Sequence, residues 1–160
     1  MRKLNLADPE RSDIGFEVSK FPDGQQQVLI TEEDFLIADA TVQIKSRLNN
    51  FKDLELIVCS VASLRGLGVK QINLYVPYVL GARSDRKFED GGNNYLKDVI
   101  CPLINSLGLD SVTVLDPHSD CLEMGLKNFI KIDNRYFVKW AISQINNTRD
   151  NISLCSPDSG

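Results

Sequence analysis

Two spacings of apolar residues alternate along this chain, and few folds accept both. Ile72, Leu74 and Val76 recur at every second residue, as in a buried strand. Pro77 ends that run, because proline has no N–H to give to a ladder. The run SVTVL at 111–115 predicts another strand, with further candidates at 39–45, 129–132 and 152–155. Between strands the spacing becomes helical. Leu54, Ile57, Val58, Val61 and Leu64 share one face of a helix that Asn50 can cap and that Gly66 and Gly68 can close. A second helix is expected from about Asn94 to Gly108 through Val99, Leu103, Ile104 and Leu107, with Pro102 forcing a kink or a later start. After a short helix at 119–124, a third begins at Asn134 with Phe137, Val138, Ala141, Ile142 and Ile145 as its buried stripe. Upstream, 1–19 hold a weak strand and a turn at Asp8-Pro9, and Phe21-Pro22-Asp23-Gly24 is a turn feeding a strand at 26–30. Strands alternating with helices of this length predict an α/β fold, a mostly parallel sheet with helices on both faces.

Composition narrows the function classes. At 160 residues the chain suffices for one domain with a real core. Acidic residues outnumber basic ones, giving a net charge of -4, which argues against a general nucleic-acid or membrane-surface partner. Any anion site must then be local. The apolar runs are too short to span a bilayer, and the first residues lack the apolar core of a signal peptide, so a cytoplasmic chain is expected. Cys59, Cys101, Cys121 and Cys155 are widely spaced in apolar segments with no CxxC pair, which predicts buried free thiols rather than disulfides or zinc ligands.

The loop after Pro77 holds Gly81, Arg83, Asp85, Arg86 and Lys87. Ligands of open α/β sheets gather beyond the carboxyl ends of the strands, where three cations can face one polyanion. Arginine suits phosphate because its planar fork makes paired, charge-assisted hydrogen bonds. The same charges also describe a solvated loop with locally paired ions. His118, the chain's one histidine, follows the 111–115 strand, and a lone histidine is more often structural than functional. The 21–24 turn would form without any ligand.

Four motifs in order, FPDGQ at 21–25, PYVLGARSDRK at 77–87, LDPH at 115–118 and SPDSG at 156–160, resemble those of ribose-phosphate pyrophosphokinases, and the similarity covers essentially the whole chain. The resemblance implies a phosphoribosyltransferase-like fold. Residues 1–148 would form the N-terminal, ATP-side domain, and 149–160 a linker with the first strand of a truncated second domain. It implies transfer of the diphosphoryl group of ATP to the 1-hydroxyl of ribose 5-phosphate, with Mg²⁺, in a homo-oligomer, hexameric in the family, and with neither nucleic acid nor membrane as partner. Phe21, Asp23 and Gln25 match the motif that contacts adenine held by a neighbouring subunit, with Gln25 in place of glutamate. Arg83, Asp85 and Arg86 match the motif that binds ATP and its phosphates, with Ser84 replacing glutamine. Asp116 and His118 match Asp-Leu-His, with Pro117 replacing leucine, and place His118 beside Mg²⁺-ATP as a catalytic or metal contact. Asp158 matches an aspartate near metal and ribose. The acidic, glycine-containing 88–97 stands where relatives are basic, so phosphate or ADP regulation is not implied. No stretch resembles the family's mobile Lys-Arg loop or its ribose-phosphate loop, so the separate chain is expected to be inactive. The three substitutions at 25, 84 and 117 also fit an alternative, a non-catalytic regulatory subunit associated with a synthetase.

Overall fold

The computed structural model describes residues 1–31, 37–146 and 155. Strand β1 (Arg2–Asn5) leads through a 3-10 turn (Pro9–Arg11) to a hairpin of β2 (Phe16–Lys20) and β3 (Gln26–Ile30). Strand β4 (Thr41–Lys45) is followed by helix α1 (Phe51–Gly66) and β5 (Gln71–Val76). A π-helical turn (Tyr95–Ile100) then runs into α2 (Cys101–Asn105), β6 (Ser111–Leu115), α3 (Cys121–Gly125), β7 (Phe129–Ile132) and α4 (Arg135–Asn146). The expected strand at 152–155, save Cys155 itself, lies outside the described residues, as do the linker from 147 onward and Asp158.

The main sheet is parallel throughout, in the order β1-β4-β5-β6-β7, and β2 and β3 pair antiparallel beside it. This is the α/β sheet with helices that the two spacings predict. Its core is one-sided. Leu4, Ile44, Leu74 and Val112 lie side by side in register and are buried, whereas the row beside them, Lys3, Gln43, Asn73 and Ser111, is polar. Leu54, Ile57, Val61 and Leu64 of α1 join the apolar side, as do Leu96, Ile100 and Ile104.

Local chemistry sets the element ends. The Asn50 side chain accepts from the backbone N–H groups of Lys52 and Asp53, satisfying donors that a helix start leaves free. Gly68, at φ +85, closes the other end. Pro102 lacks the N–H that would bond four residues back. The chain answers with the wide turn of 95–100 and places Pro102 in the first turn of α2, where that donor is not needed. The wide turn rotates the stripe, so Leu96, Ile100 and Ile104 are buried while Leu103, expected inside, is exposed. Val58 is likewise exposed, and Ser60 takes the buried position with its hydroxyl donating to the Leu56 carbonyl at 2.8 Å. The hairpin is stitched to α1. The Gln26 N–H and side-chain amide donate to Glu55, and Ser63 Oγ donates to the Val28 carbonyl. Those two donors from Gln26 hold the Glu55 carboxyl below its ordinary range.

Two further expectations fail. The α4 stripe is not buried: Phe137 and Ile145 are exposed, as are Tyr136 and Trp140. Of the cysteines only Cys101 is buried; Cys59 and Cys121 are half-buried and Cys155 is exposed.

Candidate functional site

The β5 strand ends at Val76, and the following loop folds back on itself through two short turns. Ala82 N–H donates to the Val79 carbonyl and Ser84 N–H to the Gly81 carbonyl. Gly81 has φ +78, and a Cβ there would lie 2.6 Å from the Tyr95 ring, so the turn needs glycine twice over. The loop is then pinned from the next element. Leu96 N–H donates to the Ser84 carbonyl at 3.2 Å, and Asn94 Nδ2 to the Asp85 carbonyl at 2.6 Å. Cys121, at the start of α3, places its thiol on the same Asp85 carbonyl at 3.5 Å.

One strand over, β6 ends at Leu115 and the chain turns through Asp116, whose φ of 45 lies in the left-handed region that non-glycine residues seldom visit. The Asp116 N–H donates to the Ile132 carbonyl, and its carboxylate accepts from Asn134 Nδ2 at 2.6 Å, so both ends of the residue are tied to the β7 exit. Pro117 then delivers His118. Beside it, the Ser119 hydroxyl oxygen is enclosed with no hydrogen-bond partner among the described residues, which is the kind of group a ligand or water satisfies.

These two loops face each other across parallel neighbours. Arg83, Asp85, Arg86 and His118 line one cavity of about 480 Å³ together with Phe88 and Cys121. Arg83 and His118 also line a second cavity of about 380 Å³, which Tyr78 and Asp116 border. The two hollows therefore share a cation and an imidazole at their junction. The Arg86 guanidinium sits 5.5 Å from the Phe88 ring centroid, a cation–π contact that holds it without consuming its donors. Among the described residues neither Arg83 nor Arg86 has an ion-pair partner.

Four of the residues predicted from sequence are thus brought together, and three are not. Phe21, Asp23 and Gln25 form the exposed tip of the β2–β3 hairpin and border neither cavity. There the Gln25 N–H donates to Asp23 Oδ1 at 3.4 Å and the Phe21 N–H to the Gln25 carbonyl, as in a self-contained turn. Asp158 lies outside the described residues. Tyr78, Phe88 and Cys121 were not foreseen as lining residues. Tyr78 and Phe88 flank the charged loop in sequence, so proximity was their one signal; Cys121 had none.

Comparison with known proteins agrees with the motifs. A chain from Methanobrevibacter smithii named ribose-phosphate pyrophosphokinase is 28% identical over 106 residues, 66% of this chain and 35% of its own length. Another of that name from Marinomonas sp. is 28% identical over 148 residues, 89% of this chain and 45% of its own. This chain is similar in sequence to ribose-phosphate pyrophosphokinases. It spans less than half the length of these relatives. A third ribose-phosphate pyrophosphokinase, from Saccharolobus solfataricus, is 27% identical over 72% of this chain. The fold matches the crystal structure of phosphoribosylpyrophosphate synthetase from Mycobacterium smegmatis with a TM-score of 0.73 at 14% identity, covering 85% of this chain and 45% of that one. No family model matches the chain.

Proposed function

We propose that this chain is the ATP-side portion of a ribose-phosphate diphosphokinase, which moves the diphosphoryl group of ATP to the 1-hydroxyl of ribose 5-phosphate and releases AMP. The observation that carries this reading is the meeting of Arg83, Arg86 and His118 on a single cavity at the carboxyl ends of β5 and β6. A triphosphate there meets two guanidiniums whose donors are not spent on carboxylates. Arg83, shared by both hollows, grips the phosphates, Arg86 supports it from its seat on Phe88, and Asp85 orients the pair. His118 lies where it can touch the triphosphate or its metal. Such transfer needs little covalent help from a protein, because placing reactants in line and offsetting spreading charge does most of the work.

The donor set fits Mg²⁺ carried in by the nucleotide. Among the described residues no three His, Cys, Asp or Glu groups cluster as a metal cage. Mg²⁺ is commonly held by substrate phosphates, waters and one or two protein groups, for which Asp85, Asp116 and His118 are the nearby candidates. When bound, it supplies charge neutralisation on the phosphate oxygens. Phe21, Asp23 and Gln25, on the hairpin tip away from this cavity, are in our reading offered to the adenine of a neighbouring copy. The domain division at 148 and a metal role for Asp158 belong to the same reading.

Calorimetric titration of the 160-residue chain with Mg²⁺-ATP tests it. Binding should saturate, and Arg83→Ala should weaken it by about 10- to 100-fold, the worth of a charge-assisted hydrogen bond or two. Wild-type affinity in both Arg83→Ala and Arg86→Ala would overturn the assignment. Without the two absent loops, the chain should form no AMP from ATP and ribose 5-phosphate.

A further inference from the structure

The polar side of the sheet holds a cavity of about 400 Å³ that shares no lining residue with the two cavities of the proposed nucleotide site. Its lining is Lys3, Asn5, Gln43, Lys45 and Tyr75, with Arg11 reaching in from the 3-10 turn. Sheet register assembles it. Lys3 lies beside Gln43, Asn5 beside Lys45, and Lys45 beside Tyr75, all on the face away from the apolar core.

The charge arrangement is unusual for a chain with a net charge of -4. Lys45 holds its ammonium 5.9 Å from the Tyr75 ring centroid, and neither Lys3 nor Lys45 has a carboxylate partner among the described residues. Of the acids nearby, Asp8 pairs with Arg11 at 3.4 Å and so offsets that guanidinium, and Asp13 Oδ2 accepts the Lys3 backbone N–H at 2.9 Å, which leaves the two ammoniums without a carboxylate among the described residues. Lys3 and Lys45 lie diagonally on neighbouring strands of one face, an arrangement that an anion between them would favour. Asn5 adds a second sign. It is 3% exposed yet lines the cavity, and its Oδ1 is taken by the Asp8 N–H, which leaves its amide nitrogen as a donor for whatever enters.

We propose that this cavity is a second anion site, which takes a compact phosphate monoester or diphosphate between Lys3 and Lys45. Several lone pairs on one small group match what lines it: two ammoniums and the Asn5 and Gln43 amides. Tyr75 supplies one flat wall.

The test is a two-dimensional NMR titration of the 160-residue chain with inorganic pyrophosphate. Signals of Lys3, Gln43, Lys45 and Tyr75 should shift to saturation, and should do so equally in an Arg83→Ala/Arg86→Ala chain. Lys3→Gln/Lys45→Gln should weaken that response at least tenfold, while shifts around 83–86 and 118 persist. Inorganic phosphate and ribose 5-phosphate, run as separate titrations, show whether the free ion suffices or an organic ester binds more tightly. The proposal fails if the four residues do not respond, if Lys3→Gln/Lys45→Gln responds as wild type does, or if citrate at equal charge binds as well as pyrophosphate. Because the two sites are read on separate signals, loss of one leaves the other standing.

Discussion

Gly81 is the hinge on which the cation loop turns. Its φ of +78 disfavours any side chain, and a Cβ would press on the Tyr95 ring, which is the first residue of the π turn that pins the loop. Gly81→Ala should therefore cost about 1–3 kcal/mol in urea unfolding, through backbone strain and overpacking together. Adding Tyr95→Ala should return the steric part and leave the strain. An unchanged midpoint in Gly81→Ala would contradict this geometry. Cys101 makes a different, pH-dependent contribution. Burial, with Cys121 nearby, pushes its thiol up to about 11. The folded chain thus prefers the protonated thiol more strongly than the unfolded chain does. That contribution to stability is whole below the unfolded thiol's pKa and is lost as pH rises toward about 11. The urea midpoint should fall further between neutral and strongly alkaline pH in wild type than in Cys101→Ala; equal falls would show that Cys101 does not feel its burial.

Two asparagine caps organise the helices, and they do different work. Asn50 caps α1 alone, so Asn50→Ala should cost about 1 kcal/mol and leave nucleotide affinity unchanged, with Asn50→Ser, a neutral cap that does not repel Asp53, restoring most of the stability. Asn94 accepts from the Lys97 N–H and also donates to the Asp85 carbonyl, so it ties a helix start to the phosphate loop. Asn94→Ala should cost a similar amount and also weaken Mg²⁺-ATP binding several-fold; a stability loss with wild-type affinity would mean that the loop does not depend on that tie. Element-level features of this kind were largely readable from sequence because caps and breakers act locally. Asn50, Gly68 and Pro102 each announced their role by residue type alone. What sequence missed was phase. Pro102 warned of a kink, but the wide turn that absorbs it moves the buried stripe from Leu103 to Leu96 and Ile100, and spacing counted at 3.6 residues per turn cannot register that extra residue. The pairing of β2 with β3 was half visible, since the turn at 21–24 was plain while 16–20 lacks a strong apolar alternation.

At the scale of the molecule, the site exists because β5 and β6 are parallel neighbours whose exits point the same way. The letters of Arg83 and His118 were legible one at a time, but their meeting depends on strand order, which no local pattern encodes. The same limit explains α4. Its apolar spacing says that one face seeks cover and is silent on what provides it, and among the described residues that face remains open, with Trp140 60% exposed and Phe137 lying 6.1 Å from it, ring centroid to ring centroid. An exposed stripe of this size usually marks a contact surface. Trp140 is the chain's only tryptophan, so its fluorescence reports on this helix directly. In dilute solution its emission should lie close to that of water-exposed indole, iodide should quench it freely, and Trp140→Ser should shift stability by no more than about 0.5 kcal/mol. A blue-shifted, iodide-resistant signal that persists on dilution would place the α4 stripe inside the fold and contradict the arrangement described. A blue shift that vanishes on dilution would instead show a second copy covering the helix, in which case Trp140→Ser should abolish the association while leaving Mg²⁺-ATP binding at Arg83 intact.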